Sequence, residues 1–445
     1  MGEETKKILI TDDSMIMEKI YTEALSQDGV ELRIARDGKE GLEMLESFQP
    51  DLVFLDLMLP SVHGIDILKA IKSNPKTRNT GVIISTGKAL IQDYQAAVTL
   101  GADYYLIKPF KPTLLQNLVS RFFTGALEVG PFPQNAAKQK GKEENLYNPQ
   151  VRKSTSNLRF LGTRGSIPVA GLEYYRYGGN TVCIEHRTNN ELVVIDAGTG
   201  IRELGNEIMN SDIRDIHLFI GHTHWDHILG FPFFAPVYDS KFTINIYAAR
   251  GFKKSVKELF TGMLDHDYFP VRLDEMQAGF VFHDLDDGEP IQVGETKIHY
   301  HYAMHPGATL CFKIETPRKT IGYATDNEFL VGYHGHPNDL GPEHPIVQNY
   351  RHLINFYTGC DILVHEAQYT SEDYLSKVGW GHSSIPNAAA LLKYTGVKEW
   401  IITHHDPSET DLTLLDKLSL ARTILDECEI DASVHMAYDG LVLPI

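Results

Sequence analysis

Over residues 6–123, short apolar runs alternate with longer stretches in which apolar residues recur at helical spacing. KILI, ELRIA, DLVFLDL, GVIISTG and DYYLIKP have the length of strands, and the segments between them, such as 14–27 and 39–48, read as helices. Strictly alternating strands and helices predict a parallel sheet covered on both faces, here a five-stranded doubly wound α/β unit. The pattern then lapses. Residues 125–155 are rich in Gly, Pro, Asn, Gln and Lys with no sustained apolar period, and they read as a linker between a first domain at 1–124 and a second at 156–445. In the second domain the strand-like runs are LRFLGT, NTVCIEH, ELVVIDAG, HLFIGH, FTINIYA, TKIHYHYA, TLCFKIE, KTIGYAT, DILVHEA and WIITHH. Helical runs near 252–264 and 385–394 suggest sheet layers with helices outside.

Composition narrows the functions open to such a chain. Of 445 residues, 42% are hydrophobic and 22% charged, which is the balance of a globular protein with more than one core. A formal net charge of -18 counts against a protein that wraps extended duplex nucleic acid, since such binding draws on cations that neutralise many phosphates. A small anionic substrate held by metal ions remains compatible with it. The start MGEETKK is polar, and no membrane-spanning run is visible, so the expected location is the cytoplasm with no membrane partner. Cys183, Cys311, Cys360 and Cys428 are widely spaced with no CxxC pair, as expected of buried thiols in a reducing compartment.

Chemistry-bearing residues collect at the predicted strand ends of the first domain. Asp12 and Asp13 follow the first strand, Asp56 ends the third, Thr86 the fourth, and Lys108 with Pro109 the fifth. The carboxyl ends of adjacent parallel strands form one crevice, so these side chains converge there. Clustered carboxylates hold a hard cation, one of them can attack a phosphoryl donor, and a hydroxyl and an ammonium can stabilise the added charge. In strand position and residue type the set resembles the receiver domain of response regulators. The resemblance implies phosphorylation at Asp56, with Mg²⁺ held by Asp13, Asp56 and the Met58 carbonyl and assisted by Asp12. It also implies phosphoryl contacts from Thr86 and Lys108, Tyr105 at the aromatic switch position, and a sensor histidine kinase or phosphotransfer protein as partner.

The densest signal in the chain is His222-Thr223-His224-Trp225-Asp226-His227, directly after the apolar run HLFIG. Three imidazoles and a carboxylate within six residues at a strand end can serve two neighbouring metal ions. His305, Asp326 and His404 each sit where another strand gives way to a loop. The pattern resembles the metallo-β-lactamase superfamily, which implies an αββα sandwich. By that resemblance His222, His224 and His305 bind one metal, Asp226, His227 and His404 bind the other, and Asp326 bridges them. The two ions are expected to be Zn or Mn, or else Fe. His299, His301 and His405 are expected to play structural roles.

Two further motifs narrow the reaction. Glu366 in LVHEAQY and His382 in GWGHSS resemble the paired motifs of the phosphodiesterase branch, which includes phosphoribosyl cyclic phosphodiesterases and tRNA 3′-processing nucleases. There the histidine is a general acid and the glutamate orients it, while Ser383 or Ser384 can also cap the next helix. The glycines of FLGTRGSIPVAG and VVIDAGTGIRELG suit tight turns beside the metals. His305 and Asp326 lie too close in sequence to enclose the substrate-gripping arm usual in the tRNA nucleases, which favours a small phosphodiester, such as a cyclic nucleotide. Two alternatives stay open: an output domain that only captures a ligand or partner, and a metal hydrolase of a lactone, thioester or single-stranded nucleic acid. Phosphorylation is expected to act by releasing an occluded site or, preferably, by forming a homodimer through the receiver.

Overall fold

The computed structural model describes residues 5–26, 29–86, 96–97, 99–108, 110, 112–124, 156–188, 191–251, 253–286 and 289–445. Pro109 and the expected linker at 125–155 lie outside the described residues. The chain forms two compact units, Met1–Lys142 and Glu143–Ile445.

In the first unit five parallel strands lie in the order Val30–Ala35, Lys6–Thr11, Leu52–Leu55, Gly81–Thr86 and Tyr104–Ile107. Helices Met15–Leu25, Gly38–Phe48, Gly64–Ser73 and Pro112–Phe123 cover the sheet. Ile8, Leu9, Ile10, Val53, Phe54, Val82 and Ile83 are fully buried. Burial on both faces explains why these strands read as unbroken apolar runs instead of alternating ones. The first two helices start where a short side chain satisfies a free amide: Ser14 accepts from Met17 N, and Asp37 from Lys39 N.

The second unit is a sandwich of two seven-stranded mixed sheets. One runs Gly279–Leu285, Thr243–Ala249, Asp215–Ile220, Glu191–Ile195, Cys183–Thr188, Ser156–Gly162 and Val442–Pro444. The other runs Ile291–Val293, Thr296–Tyr302, Leu310–Glu315, Thr320–Ala324, Ile362–Glu366, Glu399–Thr403 and Ser433–Met436. Their inner faces share a core that includes Phe160, Ile195 and Phe219 from the first sheet and Phe312, Tyr323 and Val364 from the second. A second core packs the outer face of the first sheet under helices Ile201–Ile208 and Val256–Met263. A third packs the other sheet under Arg351–Tyr357, Ile385–Thr395 and Asp411–Glu427. The result is the expected αββα arrangement.

All ten strand-like runs of the second domain are strands, and four further strands stand beside them: Gly279–Leu285, Ile291–Val293, Ser433–Met436 and Val442–Pro444. All four are the outermost strands of their sheets. Edge strands are short or half-exposed and so carry little apolar signal. All four cysteines are buried free thiols. Among the described residues, no helix is long and apolar enough to cross a membrane.

Candidate metal centre and phosphoryl-acceptor site

Strand Asp215–Ile220 delivers the chain to Gly221, His222 and His224 follow in the loop, and the one-turn helix Trp225–Ile228 carries Asp226 and His227 back into the interior. His222 Nε2 lies 2.7 Å from His224 Nδ1, and His305 Nε2 lies 3.3 Å from the same atom. Asp226 Oδ2 lies 3.2 Å from His404 Nε2 and 3.5 Å from His227 Nε2. Asp326 faces both groups. Its Oδ1 is 3.8 Å from both His222 Nε2 and His305 Nε2, and its Oδ2 is 3.0 Å from His227 Nε2 and 3.4 Å from His404 Nε2. The seven residues singled out from the sequence thus meet as two triads joined by one carboxylate. His222, Asp226, His227, Asp326 and His404 are buried, and His224 opens the cluster to solvent.

The donor set fits a pair of divalent cations. His227 Nε2 and Asp326 Oδ2 are buried and close, yet neither satisfies a hydrogen bond, as expected of atoms aimed at a common third point and not at each other. Burial and the neighbouring imidazoles hold His222 well below its usual pKa, in the neutral form that ligates metal. Burial pushes the Asp326 carboxyl up, but His404, His227 and His222 outweigh it and hold the group well below the usual range. Around His227, burial is outweighed by Asp196, Asp326 and Asp226, which raise it. A cation would answer the same negative field. Imidazole and carboxylate ligands suit Zn, Mn or Fe alike.

Outer partners set the imidazoles, and several were not foreseen from the sequence. Asp196 Oδ2 lies 3.0 Å from His227 Nδ1, while its Oδ1 accepts from Gly221 N at 2.8 Å. His305 Nδ1 donates to the Gly381 carbonyl at 3.0 Å, Gln368 Nε2 faces His404 Nδ1 at 3.4 Å, and Ser166 N donates to Asp226 Oδ2 at 2.6 Å. The Asp196 and Gly381 contacts engage Nδ1 of His227 and His305 and leave their Nε2 atoms to face the cluster. Asp196 and His404 both adopt left-handed backbone, φ 63° and 56°, a strained choice for non-glycine residues that clusters at functional sites. The GTRGS turn lies against the same cluster: a Cβ on Gly165 would stand 2.4 Å from His404 Cε1.

His382 stands over this cluster, its ring centroid 5.1 Å from those of both His305 and His404. Its Nδ1 is 3.6 Å from Glu366 Oε1 and 3.9 Å from Asp326 Oδ1. Glu366 is fully buried and accepts backbone N–H groups of Ser383 at 2.7 Å, Gln368 at 3.0 Å and Asn327 at 3.4 Å. It can therefore orient His382 but cannot itself meet a substrate. Burial alone would lower the His382 pKa, but Glu366, with Asp326 and Asp226, outweighs it and raises the imidazole to about 9. Ser384 caps helix Ile385–Thr395 by accepting from Asn387 N, so capping and a histidine at the cluster coexist in GHSS. His299 instead contacts Glu315 at 2.8 Å, and His405 the Ala437 carbonyl at 2.9 Å. His301 lies beside His352.

In the first unit the carboxylates of Asp12, Asp13 and Asp56 come together at the carboxyl ends of their strands. Lys108 Nζ lies 2.6 Å from Asp12 Oδ2 and 2.5 Å from Asp56 Oδ2. Met58 N donates to Asp56 Oδ1 at 3.0 Å. Thr86 and Tyr105 are buried on their strands, and Lys108 N donates to the Thr86 carbonyl. Burial raises the Asp12 pKa against the pull of Lys108.

Residues 8–120 match the model of the response regulator receiver domain, and residues 191–405 match that of the β-lactamase superfamily domain. The DNA-binding response regulator MtrA of Mycolicibacterium paratuberculosis is 33% identical over 116 residues, 26% of this chain and 49% of that protein. The chain thus spans about half the length of the curated relatives it matches. Among solved structures, the metallo-β-lactamase fold protein YhfI from Bacillus subtilis aligns over 65% of this chain and 98% of its own, at 16% identity and a TM-score of 0.46. A diphosphatase from the PhnP family aligns over the same shares at 18% identity and a TM-score of 0.43. The chain carries a response regulator receiver domain fused to a β-lactamase superfamily domain.

Proposed function

We propose that this chain is a response regulator whose output domain is a dinuclear metal-dependent phosphodiesterase, acting on a cyclic nucleotide or another small cyclic phosphodiester under control of Asp56 phosphorylation. One observation carries the reading: His382, held by the buried Glu366, faces two ligand triads that share Asp326. His222, His224 and His305 would hold one ion, Asp226, His227 and His404 the other. Bound divalent ions would supply a water of lowered pKa and a counter-charge for the phosphoryl oxygens.

The chain's own residues account for the rest. Glu366 raises the pKa of His382 and lies beside its Nδ1, so Nε2 would be the nitrogen that gives a proton to the departing alkoxide. As the bond from phosphorus to the leaving oxygen breaks, that proton converts an alkoxide, a poor leaving group, into an alcohol. A lactone or thioester hydrolase has less need of such a donor. The segment between His305 and Asp326 is taken up by strands Leu310–Glu315 and Thr320–Ala324. This leaves no length for an arm that grips a folded RNA and supports a small substrate.

In the first unit, Asp56 would accept the phosphoryl group from a phosphodonor partner such as a histidine kinase, with Mg²⁺ held by Asp13, Asp56 and the Met58 carbonyl and assisted by Asp12. Thr86 and Lys108 would contact the phosphoryl oxygens, and Tyr105 would respond to them.

The test is hydrolysis of bis-p-nitrophenyl phosphate and a panel of cyclic mono- and dinucleotides by metal-reconstituted protein. Wild type and Asp226→Ala are compared, each with and without phosphorylation at Asp56. Cleavage by wild type and not by Asp226→Ala is the expected result. Failure of the fully metallated wild type on every diester would favour a ligand-binding output domain or a non-phosphate substrate.

A further inference from the structure

Glu328 lies two residues beyond Asp326 and is buried, 2% exposed, in a chain segment that no ligand role explains. Every contact made by its carboxylate is with a donor. Tyr374 Oη donates to Oε1 at 2.7 Å, Gly379 N lies 2.9 Å from Oε1 and 3.0 Å from Oε2, and Gly381 N donates to Oε2 at 2.9 Å. Both glycines adopt left-handed backbone, φ 83° and 93°. Gly381 then turns its carbonyl to His305 Nδ1 at 3.0 Å, and the next residue is His382. Room at this position is minimal, since a Cβ on Gly381 would stand 2.1 Å from His305 Nδ1.

Packing does little to hold this loop. Leu375, Val378 and Trp380 are 59%, 42% and 56% exposed, so the segment buries little apolar surface. Its placement rests on polar contacts, and Glu328 supplies three of them to backbone amides and one to the tyrosine that ends the preceding one-turn helix Ser371–Tyr374. Hydrogen bonds to an ionised acceptor are roughly twice as strong as neutral ones.

We infer that Glu328 is a positioning residue that clamps the loop 379–382 and so sets His305 and His382 in register with one another. The segment Asp326-Asn327-Glu328 then does three things: Asp326 joins the two triads, Asn327 N donates to Glu366, and Glu328 fixes the loop that carries the proton donor. The inference rests on the proposed phosphodiesterase for the role of His382, but not for that of His305.

The test uses Glu328→Gln and Tyr374→Phe in the full chain. An amide offers one acceptor oxygen where the carboxylate offers two, and its NH₂ would confront the Gly379 and Gly381 amides. Expected are a loss of about tenfold in affinity for one of two Zn²⁺ ions, read by competition with a chromophoric chelator, and an unequal loss of turnover. In the second readout kcat on a diester with an alkyl leaving group falls about tenfold further than on a p-nitrophenyl diester, with KM little changed. Glu328→Asp should recover part of both, and Tyr374→Phe, which removes one donor, should fall between. A purely structural glutamate would lower the melting temperature and leave the affinity and the alkyl-to-aryl ratio at wild-type values, and that result would overturn the inference. If Glu328→Gln does not fold, Tyr374→Phe decides by the same two readouts. If the wild type cleaves no diester, the proposed function fails while the chelator titration still tests the clamp.

Discussion

Asp326 presents Oδ2 to His227 at 3.0 Å and Oδ1 to the opposite triad at 3.8 Å, so one carboxylate serves both halves of the cluster. Asp326→Asn keeps the shape but removes half of that service and a buried negative charge. The expected result is a protein that binds one Zn²⁺ in place of two and loses about 100-fold or more of its diester hydrolysis. Metal content by atomic emission after dialysis gives the stoichiometry. Two tightly bound ions in the variant would remove Asp326 from the bridging role.

His382 gives a prediction that depends on the substrate and not only on the enzyme. An alkoxide needs a proton as it departs, whereas p-nitrophenolate is stable without one. His382→Ala should therefore lower kcat by about 100-fold or more on an alkyl diester and by far less on bis-p-nitrophenyl phosphate. Glu366→Gln, which keeps the buried acceptor for Ser383 N but removes the charge beside His382 Nδ1, should shift the same ratio in the same direction by a smaller factor. Equal losses on both esters would end the general-acid assignment.

How much of this was legible in the sequence follows from where each residue sits. His222, His224, Asp226 and His227 are close in sequence and follow an apolar strand, so their convergence is local. His305, Asp326 and His404 are far apart, but each follows a strand: Thr320–Ala324 and Glu399–Thr403 run parallel on either side of Ile362–Glu366, and Thr296–Tyr302, two antiparallel steps from Thr320–Ala324, ends at the same edge of the sheet. Asp196 and Glu328 carried no comparable mark. Asp196 sits in DAGTG, where the glycines draw the eye as a turn, and its value lies in a left-handed backbone that only coordinates reveal. Glu328 is one acid among many in a chain with 59 Asp and Glu residues, and apart from the Tyr374 hydroxyl its partners are backbone amides 51 and 53 positions away. Backbone donors leave no trace in side-chain chemistry. The missed edge strand Val442–Pro444 pairs with Ser156–Gly162 across nearly the whole domain, a contact with no local sequence signal.

His186 ties the two sheets together and is expected to make the fold sensitive to acid. Its Nδ1 donates to the Asn157 carbonyl at 3.1 Å in one sheet, and its Nε2 lies 3.0 Å from Thr296 Oγ1 in the other. Burial lowers its pKa below the ordinary 6.5. Below pH 6.5 the unfolded chain therefore binds a proton that the folded chain resists, and stability falls as pH drops through that window. The urea midpoint of the wild type should fall between pH 7.5 and pH 5.5 by more than that of His186→Gln. At pH 7.5 the variant should be about 1 kcal/mol less stable through loss of the bond to Thr296 in the other sheet. Identical pH dependence in the two proteins would exclude His186 as a source of the acid sensitivity.

Lys108 joins Asp12 and Asp56 through contacts of 2.6 and 2.5 Å, which predicts opposite effects on cation binding and on phosphoryl acceptance. With Mg²⁺ and a small phosphodonor such as acetyl phosphate, a carboxylate oxygen of Asp56 would form a bond to phosphorus as the donor's acyl oxygen leaves. Wild type should gain one hydroxylamine-labile phosphate, and Asp56→Asn none. Lys108→Ala removes the ammonium that neutralises the pair, so Mg²⁺ should bind roughly severalfold tighter to the uncompensated carboxylates. The same change takes away a cation that would meet the incoming phosphoryl oxygens, so labelling should slow. If the diester hydrolase answers to the receiver, the change in its rate on adding acetyl phosphate must vanish in Asp56→Asn while its basal rate stays. A rate that still responds in Asp56→Asn would place control somewhere other than this aspartate.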